Sequence, residues 1–554
     1  MDPKKLKEHV DWIQHFDLRS FLSSDEVPHP WFPAYHVETA NGSLAQFSAL
    51  VLPPSIPTLI KGDGWDFQVD GGHPSTWTHY ERGEVTKRVY CAFGNERGIE
   101  PLVIHRNFHG LRGSFFEVAQ EFRLYHNLFH DIPHSRYLYF DDDGDESEAV
   151  KYDARSVQIR TDLLIRFCAV KQMALAIYID SFRYSPLTLE QLGVPETRHQ
   201  DLGGTHSYLV SVIPDTTPLR EGRSKTLSRL LGKKYVMPEP IPPEREEKQE
   251  SYPEFVIKTD ATGKPVKHTC DPEKLANYFG KNPGEPHYLT PVFFRAEVLS
   301  KYYADPQKYS VEDGYLRCGR LWSIRMDNDH TDYVVVYLGD LGRDLSEKER
   351  SYWLSFNIPP DGKNISETNF RRAFLAEFAD PKRPDLVFKH EYVRFQEEFQ
   401  KAHGWNFFRP LHADDAHFFV GLRLPPKDNQ SEFDAQLLAL TKVIVDSINE
   451  EEIVKGVTTL AKDDKGITKL EKLFSARGFS DYGQRIRFLK VLQALRSKSA
   501  AHRKGSDYEE LVKDLQLADE GHQRVFEALL NSAIDLVAYL RANLLPVQQE
   551  ASHG

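Results

Sequence analysis

The stretch LQALRSKSAAHRKGSDY, residues 492–508, closes an apolar-periodic run with an arginine, Arg496, and places a histidine, His502, six positions on. An imidazole titrates near neutrality, so it can take or give a proton under ordinary conditions. A guanidinium stays charged and presents a planar fork of donors that fits an oxyanion. Side by side, the two could move a proton next to a bound anion. The plainer reading is the solvated end of a helix. On a straight helix the sixth residue lies about 240° round from the first, so Arg496 and His502 would not share a face. They converge only if the helix stops near Ala500 or if two copies of the chain meet. Gly505, followed by Ser506 and Asp507, suits a helix stop and a new N-cap.

Helices must position this pair. From about residue 430 strand signals are lacking, and four segments carry apolar residues at i, i+3, i+4 and i+7, as packed bundle helices do. They are EFDAQLLALTKVIVDSINEEEI, GITKLEKLFSARG, DYGQRIRFLKVLQALRSK and GHQRVFEALLNSAIDLVAYLRANLL. In the third, Ile486, Leu489, Leu492 or Gln493, and Leu495 form a core face, while Arg485, Arg487 and Lys490 make the other face positive.

An arginine ending a leucine-rich helix, with a histidine four to six residues later inside an antiparallel bundle, resembles the HEPN domain. The resemblance covers about 120 of the 554 residues. It implies a metal-independent endoribonuclease of defence or stress-response type, with no cofactor, in which Arg496 and His502 work across a homodimer interface. The histidine would then handle the proton of a ribose 2′-hydroxyl or of the leaving oxygen, and the arginine would hold the scissile phosphate. Arg503 and Lys504 would attract the RNA backbone. Ser497 completes the expected binding set, standing where many members carry Asn, Asp or His. Non-catalytic HEPN bundles also exist, so the alternative is a binding or scaffold protein whose bundle mediates oligomers.

Three other clusters carry metal-ligand residue types. His105, His109, His126 and His130 lie in HRNFHG and YHNLFHD, the last two at helical i, i+4 spacing but without the glutamate of a zinc protease. Aromatic neighbours favour packed histidines there. Asp327, Asp329, His330 and Asp332 could ligate a divalent ion, yet read first as a polar hairpin turn. His412, Asp414, Asp415 and His417 form a third cluster between two strand-like runs. Phosphate-binding GxxxxGK[ST], GxSxG and strand-borne GxGxxG sequences are absent, which removes local support for kinase, ATPase or hydrolase chemistry.

The front of the chain is mixed. Residues 35–105 read as a strand meander, 114–131 as a helix with Phe116, Phe122, Leu124 and Leu128 inward, and 137–153 as a hairpin with an acidic tip. Residues 161–185 read as a helix running into a strand. Residues 215–252, basic and then Pro- and Glu-rich, read as a linker whose Arg220, Arg223, Lys225, Arg229, Lys233 and Lys234 could touch nucleic acid. Further on, 254–270 reads as a hairpin, 290–305 as a helix and 321–342 as two strands joined by a polar turn.

The expected architecture is α+β: a mixed domain over 1–214, the linker over 215–252, a middle mixed domain over 253–428 and a helical bundle over 429–554. A net charge of −12 argues against a nucleic-acid coat, so any RNA contact must be a local patch. Four scattered cysteines without a CxxC pair fit a reducing cytosol. No signal peptide is expected, and no apolar run reaches the roughly 18 residues of a membrane span.

Overall fold

The structure, a computed structural model, describes residues 3–39, 42–62, 64–65, 75–91, 99–216, 224–241, 250–425, 429–457, 459–500 and 521–545. The fold is α+β, and the chain divides into two compact units, Met1–Lys248 and Gln249–Gly554.

In the first unit, among the described residues, eleven strands form one antiparallel sheet. Its long middle strand, Ala174–Ser185, pairs with Gly42–Val51 on one side and Thr226–Val236 on the other. The helix Thr161–Lys171 precedes that strand, and Arg136–Phe140 with Glu146–Tyr152 makes the acidic-tipped hairpin. These three features follow the sequence expectations.

The strand Thr226–Val236 does not, because it lies inside the expected linker. Buried and half-buried residues alternate from Thr226 to Leu231 and then Gly232–Tyr235 are all buried, so neither face is open to water. Lys233 and Lys234 are buried on opposite faces. Lys233 Nζ donates to Leu59 O and Gly62 O, both at 2.7 Å, at the C-terminal end of the helix Ile56–Lys61. Lys234 Nζ donates to Phe21 O at 3.0 Å and Glu26 O at 2.6 Å, beside the end of the helix Phe16–Ser23. An ammonium at a helix C-terminus satisfies carbonyls that have no partner within the helix. Gly232 is needed for the close approach, since a Cβ there would stand 2.4 Å from Leu22 Cδ1. Arg229 forks onto Asp180 at 3.0 and 2.7 Å. Of the basic residues expected to face nucleic acid, only Lys225 is exposed; Arg220 and Arg223 lie outside the described residues.

The helix expected over 114–131 is three elements: a strand Phe115–Val118, a helix Gln120–Tyr125 and a strand Phe129–Asp131. Asn127 adopts φ 50°, a left-handed conformation that stops the helix. Phe116 and Phe122 are buried as expected, Leu128 is half-buried, and Leu124 is 70% exposed on the outer side of the short helix.

Two histidines of this unit are buried as neutral rings. His15 pairs with Ser228 Oγ at 2.9 Å, and burial, reinforced by Arg183, lowers its pKa to about 3. His126 Nε2 contacts Leu163 O at 2.9 Å, and burial lowers its pKa to about 4. Unfolded, both titrate near 6.5, so below that pH the unfolded chain binds protons the folded chain refuses. Stability is therefore lost as pH falls through 6.5 and continues to fall toward 4. At about pH 4.5 each ring costs roughly 2–3 kcal/mol. In denaturant titrations, His126→Gln should shrink the stability difference between about pH 7 and pH 4.5 by that amount. An unchanged difference would count against the buried neutral ring.

In the second unit a region of small sheets precedes the helices. Tyr333–Tyr337, Pro291–Arg295 and Asn357–Ile358 form one sheet, and Tyr309–Glu312, Tyr315–Cys318 and Trp322–Arg325 another. The hairpin Glu254–Thr259 with Pro265–Thr269 is as expected. The segment 290–305, expected as a helix, begins as the strand Pro291–Arg295. Its apolar run Val292–Phe294 is buried at three successive positions, so both faces of the strand are covered and the period of two is hidden. The strands Trp322–Arg325 and Tyr333–Tyr337 exist, but they join different sheets; an isolated bridge ties Asp327, just past the first strand, to Val335 in the second. Phe255, Phe294, Tyr302 and Trp353 fill this region's core.

The helices Pro384–His403, Gln430–Thr441, Gly466–Ala476, Gly483–Ala500 and His522–Leu544 share one core. That core starts at Phe388, ahead of the expected boundary at 429, because Phe388, Phe395 and Phe399 face the later helices. The four later helices carry the apolar stripes read from the sequence, whereas the sequence reading gave no helix for Pro384–His403.

Candidate functional site

The helix Gly483–Ala500 buries Ile486, Leu489, Leu492 and Leu495 completely or nearly so. Arg496 follows directly, at the edge of that stripe, with about a third of its side chain exposed. Its Nη1 bridges both carboxylate oxygens of Asp446, at 2.7 and 2.6 Å. Asp446 closes a π-helical turn, Lys442–Asp446, that continues Gln430–Thr441. Such turns widen the helix by one residue and re-aim its side chains. Ser497 Oγ donates to Gln493 O at 2.8 Å, so its one proton is committed to its own helix.

The positive face expected on this helix is partly neutralised. Arg485 pairs with Asp535 at 2.8 Å and Lys490 with Glu471 at 2.8 Å, while Arg487 is exposed. His502, Arg503 and Lys504 lie outside the described residues. What the described part offers is a surface guanidinium paired with the Asp446 carboxylate. An exposed pair of this kind contributes about 0–1 kcal/mol, so a phosphate can compete for the arginine.

The three metal-type clusters resolve into hydrogen-bonded neighbours. His126 and His130 do not share a helix: His126 is buried against Leu163 O, and His130 stacks on Tyr137 at 4.1 Å and meets Tyr152 OH at 2.8 Å. His105 packs against Phe116. Asp327 accepts from Ser366 N at 2.6 Å and Ser366 Oγ at 2.8 Å, fixing the start of the helix Glu367–Phe374. Asp329 accepts from the backbone N–H of Lys382 and Arg383, both at 2.8 Å, and from Thr368 Oγ1 at 2.7 Å. The run 412–417, expected between strands, is a 3₁₀ turn and a short helix, with Asp415 on Lys442 at 2.9 Å. Among the described residues no group of three or more His, Cys, Asp or Glu is placed to hold a metal ion.

A feature that sequence reasoning missed lies in the second unit. A cavity of about 450 Å³ is walled by Tyr288, Tyr315, Arg325, Asp340, Asn369 and Arg372, among others. Asp340 is buried, and Tyr288 OH and Arg343 Nη2 both donate to its Oδ1, at 2.7 and 2.8 Å. Burial pushes the Asp340 carboxyl above the usual range, with Tyr288 and Arg343 pulling it back. Burial, and then the bond to Asp340, pushes the Tyr288 phenol up. Arg372 forks onto Asp313 at 2.8 and 2.7 Å. Five separate segments supply these walls, so no local motif could have disclosed the cavity. The only sequence hint is the polar run MDNDHTD, whose Asp327 and Asp329 also border it.

No family model, curated protein or solved structure matches this chain. Among the described residues no helix is long and apolar enough to cross a membrane.

Proposed function

We propose that the chain is a HEPN-type, metal-independent endoribonuclease, an effector of phage defence or stress response whose preceding regions sense a trigger. The observation that supports this reading is the placement of Arg496. It stands near the end of a bundle helix, at the surface, on an ion pair that a phosphate can replace. In this reading Arg496 exchanges Asp446 for the scissile phosphate of RNA and stabilises the charge that builds on it. His502 handles the proton: the 2′-hydroxyl attacks the adjacent phosphorus, its proton is removed, and the 5′-oxygen leaves carrying a proton. The products are a 2′,3′-cyclic phosphate and a 5′-hydroxyl. Two copies of the bundle, paired as a homodimer in the cytosol, bring the groups together; the buried free thiols of Cys168, Cys270 and Cys318 suit a reducing compartment.

The second reading is a non-enzymatic scaffold whose bundle mediates oligomers. What favours it is that Asp446 already occupies Arg496 and that Ser497 is turned onto Gln493. The two separate in one assay. The purified full chain, at concentrations that favour dimers, is incubated with 5′-labelled single-stranded RNA in EDTA. Cleavage to cyclic-phosphate ends is expected, and intact RNA favours the scaffold.

A further inference from the structure

The cavity of the second unit holds unspent polar groups among many that are committed. Asp313 is occupied by Arg372, Asp327 by Ser366, and Asp329 by Thr368 and two backbone N–H groups. A cation entering the cavity would find these carboxylates taken. Arg343 is likewise held, by Asp340 and by Asp344 at 2.6 and 2.8 Å.

Arg325 differs. It is exposed, its guanidinium lies 5.7 Å from the Tyr315 ring centroid, and its side chain makes no hydrogen bond or ion pair with any described residue. It is close enough to Asp340 to bias that carboxyl toward its charged form. Among the three arginines that line the cavity, it alone keeps its fork for something that enters. Asn369 Oδ1 accepts from Tyr337 OH at 2.7 Å, which turns the amide nitrogen away from that tyrosine and leaves it an available donor. Asp340 Oδ2 takes no hydrogen bond from a described residue, so the buried carboxyl keeps one acceptor for a ligand hydroxyl. A volume of about 450 Å³ suits a metabolite-sized molecule.

We infer that this cavity binds a small hydroxyl-bearing organic anion, with Arg325 on its phosphate or carboxylate, Asn369 as a second donor and Asp340 on a hydroxyl. A polar cavity with one free fork and one open acceptor on a buried carboxyl selects for both features at once. An anion without a hydroxyl forfeits the Asp340 contact, and a hydroxylated cation meets Arg325 with the wrong sign. This site is independent of any nuclease activity of the bundle.

Titration calorimetry on the full chain tests the inference with five probes. Ribose 5-phosphate and malate carry an anion and a hydroxyl, inorganic phosphate and acetate carry the anion alone, and ethanolamine is a hydroxylated cation. Ribose 5-phosphate or malate should bind at millimolar concentration or below, and which of them binds tells phosphate from carboxylate. Inorganic phosphate and acetate should bind at least about tenfold more weakly. Arg325→Gln should weaken the bound probe about tenfold or more, Arg325→Lys by less, and Asp340→Asn should act on the hydroxylated probe alone. Because Arg325 is exposed and unpaired, both of its variants should melt with the parent, which separates lost binding from lost folding. The inference is overturned if neither hydroxylated anion binds, if Arg325→Gln binds as the parent does, or if ethanolamine is preferred.

Discussion

Truncation of Lys233 to alanine should destabilise the first unit by roughly 3–5 kcal/mol, far more than a lysine in a surface linker would. The ammonium is fully buried and bonded to Leu59 O and Gly62 O, so its loss strands two carbonyls at about 1–3 kcal/mol each. The stem also fills space between the sheet and the helix Ile56–Lys61. Lys233→Met keeps most of that volume and should recover part of the loss. Lys225→Ala, eight residues earlier and exposed, should change stability by no more than about 0.5 kcal/mol. Equilibrium unfolding in urea reads all three. Equal, small effects for Lys225 and Lys233 would mean that the basic segment is a solvated linker after all.

That segment shows why the first unit was only partly legible. Where an element has one wet face, periodicity betrays it: Ile486, Leu489, Leu492 and Leu495 recur at helical spacing, and the helix Gly483–Ala500 is where they put it. Thr226–Val236 has no wet face, and its two lysines serve as caps for helices that precede it by about two hundred residues. Charge in a sequence reads as surface, and nothing local says otherwise. Pro291–Arg295 was misread for a related reason, since Val292, Phe293 and Phe294 are all buried and a strand covered on both faces shows no alternation.

The sites divide similarly. Arg496 could be proposed from the sequence because it shares one short stretch with His502. The cavity around Asp340 could not, since Tyr288, Arg325, Asp340 and Asn369 come from different elements and none is unusual alone. Asp327 and Asp329 drew attention as ligand types, yet their oxygens anchor Ser366, Thr368 and the 382–383 backbone. The turn they occupy ties two sheets and two helices together.

The proposed ribonuclease chemistry rests on Arg496 and His502, and one comparison of variants tests it. RNA cleavage by the full chain is followed in EDTA for the parent, Arg496→Ala and His502→Ala at equal dimer concentration. Arg496→Ala removes the group that stabilises charge on the phosphate, and a loss of about 10²–10³-fold is expected by analogy with one missing oxyanion donor. Its fold should survive, because the pair with Asp446 is exposed and contributes about 0–1 kcal/mol. His502→Ala removes the proton carrier and should lower the rate by about 10²–10⁴-fold. The predicted result is a parent that leaves cyclic-phosphate ends and two folded variants that leave RNA intact on the same timescale. A variant that cleaves like the parent, or a folded parent that does not cleave at all, would contradict the claim.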